Sequence, residues 1–83
     1  MNTYNIWIHV NGYQYQVDVR TVSLGEAHIG DDGMFYIDVE PIFTFLFYSE
    51  DGNLLYDISR DMLSEAKTIS SNLYWTEYIP VEE

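Results

Sequence analysis

The chain contains no cysteine, which excludes a disulfide framework, a thiolate metal site and a cysteine nucleophile. Basic residues are nearly as scarce: three Lys and Arg stand against 14 Asp and Glu, for a formal net charge of −11. That shortage excludes direct binding to nucleic acid, whose phosphates require Lys and Arg, and binding to anionic lipid. No apolar run approaches the roughly 18 residues of a membrane-spanning helix. Met1-Asn2-Thr3-Tyr4 has neither a basic stretch nor an apolar one, so no secretory leader is expected and the cytoplasm is the expected location. What the chain does have is apolar mass. Hydrophobic residues make up 47% of it and aromatic residues 17%, enough for a packed core despite the acidity. Its 83 residues suit one small acidic domain spanning 1–83.

The first twenty residues read as a β-hairpin. Tyr4, Ile6, Ile8 and Val10 alternate with Asn5, Trp7 and His9, and Tyr13, Tyr15, Val17 and Val19 alternate with Gln14, Gln16 and Asp18. Asn11-Gly12 lies between the two runs, and a type I′ turn requires positive φ at both central residues. A two-residue turn pairs 10 with 13, 8 with 15, 6 with 17 and 4 with 19, so each of those pairs is apolar. The opposite face receives His9–Gln14, Trp7–Gln16 and Asn5–Asp18.

Val22 and Leu24 extend the second strand, and Gly25, Gly30 and Asp31-Asp32-Gly33 mark turns. Met34–Glu40 is strand-like, with Phe35, Ile37 and Val39 on one side and Tyr36, Asp38 and Glu40 on the other, before Pro41 interrupts it. Residues 42–48 are apolar on both sides, and their aromatic and β-branched content favours strand. Asp51-Gly52 reads as a hairpin tip with Leu54-Leu55-Tyr56 returning. Residues 59–72 read as a helix capped by Ser59 or Asp57, whose Ile58, Met62, Ala66, Ile69 and Leu73 fall within about 80° on the wheel. Ser70-Ser71-Asn72 has poor helix propensity and ends it. Tyr74–Ile79 then reads as a last strand stopped by Pro80, with Val81-Glu82-Glu83 as a frayed tail. The expected fold is α+β: an antiparallel sheet of about five strands, beginning with the N-terminal hairpin and a meander, with one helix from the C-terminal half packed on it.

Chemistry-bearing patterns are few. His9 and His28 are the only side chains that ordinarily titrate near neutrality, and no ordered Ser/His/Asp set accompanies them, so no enzyme is expected. Asp31-Asp32-Gly33 and Glu50-Asp51-Gly52-Asn53 fail the calcium-loop spacing in either alignment and are explained by turn chemistry, so no metal or other cofactor is expected. No Gly-rich phosphate loop is present, and Lys67 sits within the helix.

The carboxylates remain. Asp57, Asp61 and Glu65 are spaced i, i+4, i+8 and flank the apolar stripe. Four helical residues advance about 6 Å, close to the roughly 6.8 Å between alternate phosphates of one strand. Like charges at that spacing cost about 0.2–0.5 kcal/mol per pair. Arg60 can reach Asp57, but Lys67 has no acid at helical spacing. Asp18, Asp38 and Glu40 add acids on strands. Trp7 projects from the polar face of the first hairpin, where it either meets a partner or lies under a second layer. Tyr36 shares a face with Asp38 and Glu40, and rings among carboxylates can stack on arginine. A net charge of −11 exceeds the magnitude of about 2–8 common in small domains. A compact chain of this length has a radius of gyration near ~12 Å, and duplex DNA about 30 Å long carries roughly 18 phosphates.

In its size, acidity and lack of cysteine the chain resembles the small phage-encoded inhibitors of host defence: DNA mimics, anti-restriction proteins and anti-CRISPR proteins. The resemblance involves no motif and carries over no residues. It implies a basic nucleic-acid-binding protein or complex as partner, occupied by charge mimicry in the host cytoplasm. The candidate contacts are Asp57, Asp61, Glu65, Asp38, Glu40, Asp18, Trp7 and Tyr36. The alternative is a small immunity or regulatory subunit, or a homodimer, with Phe43, Phe45, Phe47 and Tyr48 in an apolar interface.

Overall fold

The computed structural model describes residues 3–78 and 81–82. The first hairpin forms in the register its pattern dictates. Strand β1 (Thr3–Val10) pairs antiparallel with β2 (Tyr13–Ser23), with Val10 opposite Tyr13, Ile8 opposite Tyr15, Ile6 opposite Val17 and Tyr4 opposite Val19. Asn11 and Gly12 take φ of 53° and 83°, as a type I′ turn requires. Strand β5 (Ile42–Tyr48) pairs with the far edge of β2, giving a three-stranded sheet of order β1-β2-β5.

A second sheet forms from residues 26–39 and the chain end. Strand β3 (Glu26–Ile29) pairs antiparallel with β4 (Phe35–Val39) and parallel with the two-residue β6 (Val81–Glu82), in the order β4-β3-β6. The expected α+β architecture is therefore present, with its strands divided between two sheets. Strand β3 was not expected, because four residues between two glycines are too few for a period of two to register. Val81 and Glu82, expected in a frayed tail, pair with His28 and Ile29; Glu83 lies outside the described residues.

Two loops are built alike. In Gly30–Met34, Gly33 N donates to Gly30 O at 2.9 Å and Gly30 N to Met34 O at 2.9 Å. In Ser49–Asn53, Gly52 N donates to Ser49 O and Ser49 N to Asn53 O, both at 2.9 Å. Gly33 and Gly52 stand at φ 79° and 86°. This is the three-residue hairpin loop, a type I turn closed by a left-handed residue, which the two Asp-Gly pairs supply. After the second loop the returning strand expected at Leu54-Leu55-Tyr56 shrinks to a bridge between Tyr48 and Leu54 and a bond from Leu55 N to Phe47 O at 2.8 Å.

Helix α1 (Arg60–Glu77) starts at Ser59, whose hydroxyl accepts from Met62 N at 3.2 Å. It covers one face of the first sheet. There Ile6, Ile8, Val10, Val17, Val19, Phe47, Met62 and Ala66 form the core, flanked by Phe43, Phe45, Ile58 and Ile69. Of the phenylalanines considered for a dimer interface, Phe47 is buried in this core, and Phe43 and Phe45 pack against it half-buried.

The helix does not end at Ser70-Ser71-Asn72 but runs to Glu77, so the last strand expected at Tyr74–Ile79 is helical through Glu77, with Tyr78 as C-cap. Ile79 and Pro80 lie outside the described residues. The buried row also differs from the expected stripe: Met62, Ala66 and Ser70 are buried, while Leu73 is exposed. Tyr74 and Tyr78 continue that i+4 row to the junction of the two sheets. Tyr74 Oη accepts from Gly25 N at 2.8 Å and donates to Gly25 O at 3.0 Å, and Tyr78 Oη accepts from Ala27 N at 3.1 Å. Trp75 packs edge-on against Phe35 at 5.7 Å. These contacts override the weak local propensity of the Ser-Ser-Asn segment.

The molecule measures 48 × 25 × 17 Å and its radius of gyration is 14.9 Å, above the ~12 Å expected of a compact chain.

Candidate functional site

The eight candidate residues fall into three places. Asp57, Asp61 and Glu65 lie at the start of the helix, Trp7 and Asp18 on the uncovered face of the first sheet, and Tyr36, Asp38 and Glu40 on the second hairpin. The fold does not gather them on one face.

The three-acid helical row is shortened. Asp57 precedes the N-cap and is not helical, because Ser59 rather than Asp57 caps the helix. Asp61 and Glu65 remain one turn apart. With His9, Val10, Ser64 and Thr68 they line an open groove of about 420 Å³ between α1 and the end of β1. Arg60 makes no ion pair with Asp57. Among the described residues none of Arg20, Arg60 and Lys67 pairs with a carboxylate, and the one ion pair is His28–Asp38.

The helix covers the face of the first sheet that carries Ile6 and Ile8, so the alternation of β1 leaves Trp7 on the other side, 49% exposed. Asp18 stands diagonally across from it and accepts a hydrogen bond from its cross-strand neighbour Asn5. Leu46, opposite Asp18 on β5, is exposed on the same face.

The second hairpin carries the most connected cluster. His28 is on β3 opposite Tyr36, and the two rings stack at 5.5 Å with 21° between planes. The register shifts between Glu26 and Ala27, so Asp38 is the extra residue of a β-bulge. Bulges re-aim side chains, and here Asp38 Oδ2 meets His28 Nδ1 at 2.7 Å. On the other side of the cluster the Tyr36 hydroxyl donates to Asp32 Oδ2, while Met34 N donates to Asp32 Oδ1 at 3.0 Å. Tyr36 and Asp38 do share a face, whereas Glu40 follows the end of β4. Asp32 and His28 were not singled out as partners of Tyr36 and Asp38. The signal available was the Asp-Gly turn, which folds residues 26–29 back onto 35–39.

The hydrogen bond from Tyr36, and then that from Met34 N, hold the Asp32 carboxyl below its ordinary 3.8. The same bond holds the Tyr36 hydroxyl above its ordinary 10.0. The signs follow from linkage. The contribution of Asp32 to stability is fully present above pH 3.8 and is lost as pH falls through its lowered folded value. The contribution of Tyr36 is present below pH 10.0 and is lost as pH rises through its raised value. In Asp32→Asn, a phenol titration followed by ultraviolet absorbance is expected to show one tyrosine returning toward 10.0. An unchanged titration would show that the Tyr36–Asp32 bond does not form in solution.

None of the comparisons with known proteins finds a match: no family model fits the chain, and neither a characterised protein nor a solved structure is detectably similar to it.

Proposed function

We propose that this protein is a binding protein, not an enzyme, that occupies a basic nucleic-acid-binding surface on a partner. It would act as a phage-type inhibitor of the DNA-mimic or anti-CRISPR kind, working in the host cytoplasm. The observation that supports this reading best is the state of the charges: among the described residues the three Lys and Arg neutralise no carboxylate, and a single histidine meets one. Such a field raises encounter rates with a basic cleft by ~10–10³ and weakens with salt.

Two exposed sheet faces add chemistry suited to arginine. Each sets an aromatic ring near a carboxylate, Trp7 with Asp18 and Tyr36 with Asp38, and a guanidinium can stack on the one and bond the remaining oxygen of the other. Against catalysis stands the setting of the histidines. His28 and Asp38 stand on a sheet face, and His9 borders an open groove.

The imitation is local. A duplex of 48 Å carries roughly 28 phosphates, twice the 14 acids of the chain, so competition rests on short acidic patches rather than on a full ribbon of charge. The test is capture of basic nucleic-acid-binding proteins on the immobilised chain at low salt, followed by elution with duplex DNA. Retention that fades as salt rises and is displaced by DNA is the expected result. No retention at low salt, or retention indifferent to both salt and DNA, would overturn the reading.

A further inference from the structure

Resting on that reading, we infer that β4 is the docking edge of this protein and that its occupant is an extended, lysine- or arginine-bearing segment of the partner, added as a fourth strand to the second sheet. β4 is a terminal strand that pairs with β3 alone among the described residues, and all five of its residues are exposed. The hydrogen-bond phase of the hairpin is fixed at its loop, where Gly30 N donates to Met34 O. Antiparallel pairs alternate between bonded and non-bonded. With Ile29 opposite Phe35, His28 opposite Tyr36 and Ala27 opposite Ile37, Tyr36 is the bonded residue. The N–H and C=O groups of Phe35 and Ile37 therefore turn away from β3, toward the open edge.

The side chains on this edge are apolar and acidic. Phe35 and Ile37, on one face, are 41% and 43% exposed, enough to seat alternate side chains of an added strand, whereas the bulge turns Val39, expected on their side, to the opposite face with Glu26. Asp31 and Asp32 precede the strand in its loop, Asp38 lies within it on the face of His28 and Tyr36, and Glu40 follows its end.

Charge decides between occupants. Exposed edges invite pairing with a second copy, and proteins discourage this with charge and bulges. The bulge at Asp38 opposes either occupant alike, so charge discriminates: Asp31, Asp32, Asp38 and Glu40 lie in and beside β4, and each copy carries −11. Like charges brought strand to strand are destabilising, whereas a cationic strand places its charges against these acids.

The experiment uses the full chain, isotope-labelled, and an acetylated, amidated peptide of about ten residues alternating lysine with valine, long enough to span β4. Amide shifts concentrated on residues 35–39, with new exchange protection at Phe35 and Ile37, are expected. Methylating alternate backbone nitrogens of the peptide keeps its charge and removes its donors, and it should weaken binding about tenfold or more. Ile37→Pro removes an outward donor at an edge position that tolerates proline and should do the same. Binding that is indifferent to N-methylation, or that maps to Asp61 and Glu65, overturns the edge proposal and leaves a basic partner standing. Absence of binding by this peptide and by polylysine at low salt overturns both. A dimer that protects Phe35 and Ile37 without peptide makes the occupant a second copy and overturns the cationic strand.

Discussion

Tyr74→Phe is expected to lower stability by about 2–4 kcal/mol, although it deletes a single oxygen atom. The hydroxyl serves both backbone groups of Gly25, accepting from its N–H and donating to its C=O. Gly25 is buried, so neither group recovers a water partner. Each orphaned group costs about 1–3 kcal/mol. A domain of this length is stable by roughly 4–12 kcal/mol in all, so the melting temperature should fall by roughly 10–20 °C. Gly25 offers no relief by moving. A Cβ built there would stand 2.8 Å from both Val39 O and the Pro41 ring, so chain segments already meet at this point.

The loss should also be local. Tyr74 ties the helix end to the β2–β3 connection, so amides of residues 26–39 should exchange faster while those of β1 and β2 keep their relative protection. Tyr78→Phe removes one bond, to Ala27 N, and should cost about 1 kcal/mol. Equal small losses in both variants, with no added exchange in the second sheet, would show that the tyrosines pack rather than anchor.

Ser70→Ala is expected to stabilise the protein by about 1–2 kcal/mol. Ser70 is fully buried in the helix, and its Oγ finds no hydrogen-bond partner among the described residues. A helical hydroxyl commonly bonds the carbonyl four residues back, and Thr76 does so, with Oγ1 donating to Asn72 O at 2.6 Å. Ser70 does not, so its oxygen bears a desolvation cost that alanine avoids at similar volume, and alanine is also the better helix former. The melting temperature should rise by roughly 5–10 °C. A fall on substitution would mean that the hydroxyl is satisfied in solution. A larger residue would be resisted, because Ser70, like Ala66, is a fully buried small residue on the covered side of the helix.

How much of this was legible in the residues follows from where the information lies. The first hairpin was fully readable, register included, because turn chemistry and alternation are both local and agree. So were β4, β5 and the helix start, where apolar alternation, β-branched content and a capping serine each act within a few residues. Among the candidate site residues, Tyr36 and Asp38 were correctly placed on one face, because a period of two is a local property. Their partners Asp32 and His28 were not, since the first depends on a turn and the second on the pairing of a four-residue strand.

The sequence by itself determined the sign of the charge, the fold class and the hairpin at the N-terminus, since these follow from composition and nearest-neighbour stereochemistry. Only the tertiary structure decided that the strands divide into two sheets, that the helix continues through Ser70-Ser71-Asn72, and that the acids fall into three groups. Each of those outcomes depends on contacts between residues far apart in the chain, such as Tyr74 with Gly25. There, distant partners outweigh local preferences worth only a few tenths of a kcal/mol per residue.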